Sequence, residues 1–178
     1  MLKFLVFKDG SPVDQLDVTS AHMLGQDDVP VKSQVEYADR LLTCQKMTEE
    51  AGALAILWDV RGAGKYLLQT TRLPSREKPY ILNVELARWR LMRILSKLED
   101  WGLFEYPKTE SIMELVETSR KLFINALQES QSPAKAADLA DQSLEKSMEA
   151  GDALAKFHAS HLLGIKLQSG VLNRKLFG

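Results

Sequence analysis

Between Pro74 and Pro79 the chain changes texture, and that change limits what it can fold into. Before it, short apolar runs alternate with Gly and Asp turns. After it, three long stretches keep helical periodicity to the end. Strands followed by helices define an α+β architecture. At 178 residues and 45% hydrophobic content, the chain can bury one compact core, or two small ones sharing an interface. The expected fold is an N-terminal antiparallel β-sandwich-like sheet packed against three C-terminal helices. Residues 1–75 would form the β-rich segment and residues 80–170 the helical one.

In the first half, Leu2 to Phe7 is a short apolar run closed by Asp9-Gly10-Ser11-Pro12, a turn composition. Leu16, Val18 and Ser20 alternate with polar neighbours, which predicts a strand with one wet face. Proline in Val29-Pro30-Val31 puts that stretch at an edge or outside the sheet. Gln34 to Tyr37 and Arg40 to Lys46 flank Ala38-Asp39 as a hairpin would. Ala53 to Val60 should be the most buried strand, and Lys65 to Thr71 follows it after Arg61-Gly62-Ala63-Gly64. Six or seven short strands are expected. Gly62-Ala63-Gly64-Lys65 superficially suggests a phosphate loop. However, Tyr66 replaces the required Ser or Thr, and a strand follows where a helix is needed, so a tight turn is expected.

In the second half, Asn83 is positioned to cap a helix running to about Trp101 and ending at Gly102. Val84, Ala87, Leu91, Ile94, Leu95 and Leu98 make one stripe, while Leu86 and Trp89 lie on the other side. Apolar groups on both sides predict a helix sandwiched between the strands and the later helices. A second helix follows Pro107, with Ser111 and Glu114 spaced as a capping box. The third starts at Ser132-Pro133 and runs to about Leu167. On it Leu144, Met148, Gly151, Ala155, His158, Leu162 and Ile165 recur at spacings of three and four. Small residues at Gly151 and Ala155 would admit a close neighbour. Core packing explains the stripe, and a homodimer through this helix competes with that explanation.

The groups that carry chemistry are sparse. His158 and His161 share a helix face, but a metal site needs a further ligand and His22 lies in the strand region. No metal ligand, cofactor or catalytic residue is therefore expected, and no ligand-binding residue stands out. Cys44 sits in a strand pattern and behaves as a small apolar group; a single cysteine also fits a reducing, cytoplasmic setting. The N-terminal apolar run is too short for a signal peptide, and no stretch approaches the ~20 apolar residues that cross a bilayer. Charge is nearly balanced, 23 Lys plus Arg against 24 Asp plus Glu, which argues against a dedicated nucleic-acid or membrane binder. Locally it is uneven: +5 from Arg72 to Leu98 and −7 from Glu99 to Asp152. Attraction between the first helix and the acidic helices would explain that. Trp58, Trp89, Trp101, Tyr37, Tyr66, Tyr80 and Tyr106 could stack on sugars if exposed in a row, though packing is the commoner fate.

One stretch carries a resemblance. It comprises Thr70-Thr71-Arg72-Leu73-Pro74, Pro79-Tyr80, Asn83-Val84-Glu85-Leu86-Ala87-Arg88, Arg90-Leu91-Met92-Arg93-Ile94 and Glu99-Asp100-Trp101-Gly102-Leu103-Phe104. This resembles the N-terminal region of bacterial proteins similar to family 10 glycoside hydrolases, the endo-1,4-β-xylanase type. There, a β-rich segment and helices precede a (β/α)8 catalytic barrel. The resemblance implies a non-catalytic accessory module that supports the barrel or binds polysaccharide weakly. It also implies that residues 171–178, with apolar Val171, Leu172, Leu176 and Phe177, form a truncated junction to a downstream barrel of the same polypeptide. The family's catalytic glutamates belong to that barrel, so none transfers to this chain. A stand-alone α+β interaction or dimerisation module unrelated to sugars is the leading alternative, and a small-molecule enzyme with an unrecognised pocket is the third. A deep cleft holding converging ionisable groups would count against a scaffold without reactive chemistry.

Overall fold

The computed structural model of the chain describes residues 1–47, 50–103 and 110–168. Ten strands come first: β1 (Leu2–Leu5), β2 (Phe7–Lys8), β3 (Ser11–Pro12), β4 (His22–Leu24), β5 (Pro30–Val31), β6 (Ser33–Ala38), β7 (Leu41–Lys46), β8 (Ala53–Val60), β9 (Gly64–Gln69) and β10 (Tyr80–Ile81). Three helices follow: α1 (Leu82–Asp100), α2 (Glu110–Gln128) and α3 (Pro133–Gln168). The architecture is α+β, as the change of texture predicts. The expected junction at 171–178, the helix start after Pro107 and the side chain of Tyr106 lie outside the described residues.

Two four-stranded sheets, ordered β10-β1-β7-β6 and β5-β4-β8-β9, are joined by a β2-β3 ribbon. Pairing is antiparallel except where β10 runs parallel to β1. That one parallel pair carries the β-rich part past residue 75, and it ties the strand layer directly to the start of α1. Leu2, Phe4 and Leu42 from the first sheet share one core with Leu54, Ile56 and Leu68 from the second and Leu86 and Leu144 from the helices. Ile94, Leu98, Leu103, Ile112, Val116 and Leu154 form a second core among the helices.

β8 is the most buried strand, open only at Leu57 and Asp59. β5, with its proline, lies at a sheet edge. The β6–β7 hairpin forms with Asp39 and Arg40 both left-handed, at φ 50° and 61°, the geometry of a two-residue primed turn. The strand expected around Leu16 to Ser20 does not form. Leu16 and Val18 pack against the core from an irregular segment, so their alternation reflects burial without a strand partner.

α1 is sandwiched, with Leu86 and Ala87 fully buried and Trp89 packed against the main core. Asn83 does not cap it. The N-cap is Ile81, with no side-chain cap bond, and the Asn83 amide is drawn instead to the Phe7 backbone. Ser111 is likewise not an N-cap, because α2 is already helical at Glu110. α3 begins at Pro133 as predicted and runs unbroken for 36 residues, about 54 Å. Gly151 does admit a close neighbour: a Cβ there would sit 2.1 Å from an Arg90 guanidinium nitrogen. Ala155, by contrast, is exposed.

Candidate functional site

A concavity of about 640 Å³ opens where the β2–β3 turn, the segment after it, the β8–β9 turn and α3 meet. Its geometry follows from two local features. Gly62 and Gly64, at φ +74° and +95°, close the β8–β9 hairpin tightly, with Ala63 N–H donating to Val60 O. This is the tight turn the sequence predicts, and Lys65 enters β9 on it. The second feature is a clamp. Asn83, fully buried, accepts from Phe7 N–H at 3.2 Å and donates to Phe7 O at 2.9 Å. Beyond β1 the chain at Phe7 leaves the sheet, and the Asn83 amide supplies the pairing that a strand would have given.

The remaining Asn83 hydrogen points at α3, where its Nδ2 lies 3.0 and 2.9 Å from the two Asp141 oxygens. Burial pushes the Asp141 carboxyl up to about 7, against the Asn83 hydrogen bond and the Arg61 charge, which both pull it down. Elsewhere in the cleft Lys8 pairs with Asp59 at 3.4 Å, and Arg61 pairs with Asp9 at 3.2 Å and Asp138 at 3.6 Å. Asp17 accepts from Thr19 N–H and Oγ1, which hold its carboxyl below the usual range. No Ser, Thr, Cys or His lines the cleft. Ionisable groups therefore do converge here, which counts against a scaffold without reactive chemistry, although the residues lining the cleft include no hydroxyl or thiol nucleophile.

Sequence reasoning marks Asn83 as a helix cap and Gly62 to Lys65 as a tight turn, and it assigns none of the cleft residues to a site. A signal existed for one: Asp141 lies on the same helix face as Ala137, Leu144 and Met148, all buried. A carboxylate on a core stripe marks either a paired charge or a site. Lys65 carries a mark only as the end of the Gly62 to Lys65 tetrad, which reads as a turn, and Arg61 carries none, since charge is ordinary beside a turn.

The groups that were weighed from sequence lie elsewhere. His158 stacks on Trp101, centroids 4.0 Å apart, and His161 stacks on Phe157. Among the described residues no three His, Cys, Asp or Glu gather as a metal set. Cys44 is fully buried, and burial pushes its thiol up to about 12. The basic residues before Leu98 are used locally. Arg72 ties down the Gly25 and Gln26 carbonyls, Arg76 covers Tyr80, Arg88 bonds Glu85, and Lys97 bonds Asp100. Arg90 on α1 is drawn to Asp152 on α3, a charge attraction between α1 and the acidic helices. Of the strand aromatics, Trp58 and Tyr80 are buried and Tyr37 is half-buried, leaving Tyr66 at 36% exposure. The described strands therefore present no row of sugar-stacking rings.

A second feature lies at the far end of α3. Leu154 is its last buried residue, and fourteen more residues follow, about 21 Å of helix. The apolar stripe continues along them, with Leu162 42% and Ile165 49% exposed. No described helix is long and apolar enough to cross a membrane. No protein-family model, curated protein or solved structure matches the chain.

Proposed function

We propose that this chain is a non-catalytic accessory module of a larger xylanase-like glycoside hydrolase, held in a reducing cytoplasmic setting, whose role is to support the catalytic barrel. The observation that carries this reading is the α3 arm: a core-type stripe that continues for ten residues past His158, which stacks on Trp101. Leu162 and Ile165 on that stripe, with Leu163 and Leu167 beside them, leave apolar surface that favours a covering body. The inward-facing strand aromatics favour support over polysaccharide stacking. The proposal predicts that the natural coding sequence runs on past Gly178 into a (β/α)8 barrel. Reading the downstream codons tests it, and a stop codon there contradicts it.

The same exposed Leu162 and Ile165 favour a second reading, a homodimer through α3. Light scattering separates the two. A doubled mass that falls to the monomer value in an Ile165→Lys variant supports the dimer, and a monomer at every concentration rejects it.

A further inference from the structure

Two charged groups of the cleft differ from the others. Lys8, Arg61, Asp9, Asp59 and Asp17 are already matched, by ion pairs or by Thr19. Lys65 makes no ion pair among the described residues, although it lines the same cleft. Asp141 makes none either. Its two oxygens share one hydrogen of the Asn83 amide, where a carboxylate has room for about four bonds. Trp58 and Leu144 supply an apolar wall in the same cavity.

We propose that the cleft binds a small amino-carboxylate, whose ammonium bonds Asp141, whose carboxylate meets Lys65, and whose hydrocarbon body lies on the apolar wall. Three cations and four carboxyl groups line the cavity, so no strong net field selects an ion of one sign. Lys65 is close enough to Asp17 to lower its carboxyl, and Arg61 acts on Asp141, but neither attraction closes into an ion pair among the described residues, and a zwitterion would supply one to each. An ammonium brings three donors to a carboxyl that lacks them, and a charge-assisted bond is the stronger kind. The volume, about 640 Å³, falls within the ~300–1,000 Å³ of small-molecule sites. This ligand site is independent of the accessory role, which rests on α3 beyond His158.

Binding should depend on pH. Facing Asp141 are Asn83 from α1, Arg61 from the β8–β9 turn, Asp9 from the β2–β3 turn and Asp138 on its own helix. Burial keeps the carboxyl protonated to about pH 7, so an arriving ammonium displaces a proton. Affinity then rises by about tenfold per pH unit up to about 7 and levels above it.

The test is an NMR titration of the full chain with glycine, 4-aminobutanoate and 6-aminohexanoate. Hexanoate and hexylamine serve as single-ended controls, and xylotriose as the sugar control. One of the amino acids should saturate the Trp58 indole and the Gly62 and Gly64 amide shifts, at least about tenfold tighter than either single-ended control. Lys65→Ala and Asp141→Asn should each weaken it by about tenfold, and Asp141→Asn should flatten the pH profile. Lys65 lies on an exposed strand, so its variant tests the proposal even if Asp141→Asn misfolds. Equal affinity for the single-ended controls overturns the proposal, as does saturation by no probe. Saturation of these signals by xylotriose, with the amino acids inert, also overturns it. Neither result bears on whether a barrel follows Gly178.

Discussion

At Asp141 burial outweighs two favourable contacts, and the consequence can be read in stability. The folded chain holds a proton up to about pH 7 that the unfolded chain releases near pH 4. The stabilising contribution of the protonated group is therefore full below about pH 4 and is lost as pH rises to about 7. The ceiling on that loss is on the order of 4 kcal/mol. Urea midpoints at about pH 5 and pH 8 should show the native chain weaker at the higher pH, and Asp141→Asn should remove most of the difference. A native profile that is flat, or that rises with pH, would reject the assignment. Arg40 offers a second test. Its φ of 61° is costly for a side chain, and its ion pair with Asp14 is exposed at both ends. Arg40→Gly should stabilise by about 1 kcal/mol, measured by denaturant melts.

Elements that obey a local rule were legible in the sequence. β8 follows from an uninterrupted apolar run, the β6–β7 hairpin from two flanking runs, and α3 from Ser132-Pro133. The irregular segment around Leu16 to Ser20 was misread because alternation marks burial, and a strand also needs a partner. β4, only three residues long, and β10, only two, were missed because pairing, which no local pattern records, is all that makes them strands. The Asn83 cap failed for a related reason, since Phe7, 76 residues away in sequence, competes for its amide. The cleft was the least legible feature: its charges come from separate elements and meet only in the fold. Among the helices, Ser119 and Ser143 exchange hydroxyl bonds with each other's carbonyls at 2.9 and 2.8 Å, allowing α2 and α3 to approach closely. Gly151 makes the corresponding accommodation for Arg90. Gly151→Ala should gain about 1 kcal/mol of helix propensity when Arg90 is Ala, and lose that gain when Arg90 is present. Additive effects in the double-mutant cycle would mean the two residues do not touch.

The molecule as a whole divides after His158, with a doubly cored body on one side and an apolar arm on the other. Truncation should cost differently on each side. Leu86→Ala, inside the main core, should destabilise by about 3 kcal/mol, whereas Ile165→Ser should leave the isolated chain within about 0.5 kcal/mol of the original. Denaturant melts of the two variants check the contrast, and equal losses would place the arm inside the folded body. Amide hydrogen exchange along α3 in the isolated chain at low concentration tests the division most directly. Residues 136–154 should exchange at rates near global unfolding, and residues 159–168 should exchange orders of magnitude faster, becoming protected when a neighbouring domain is present. Uniform slow exchange through Gln168 in a monomer would contradict the account, because it would mean that the arm already has its cover.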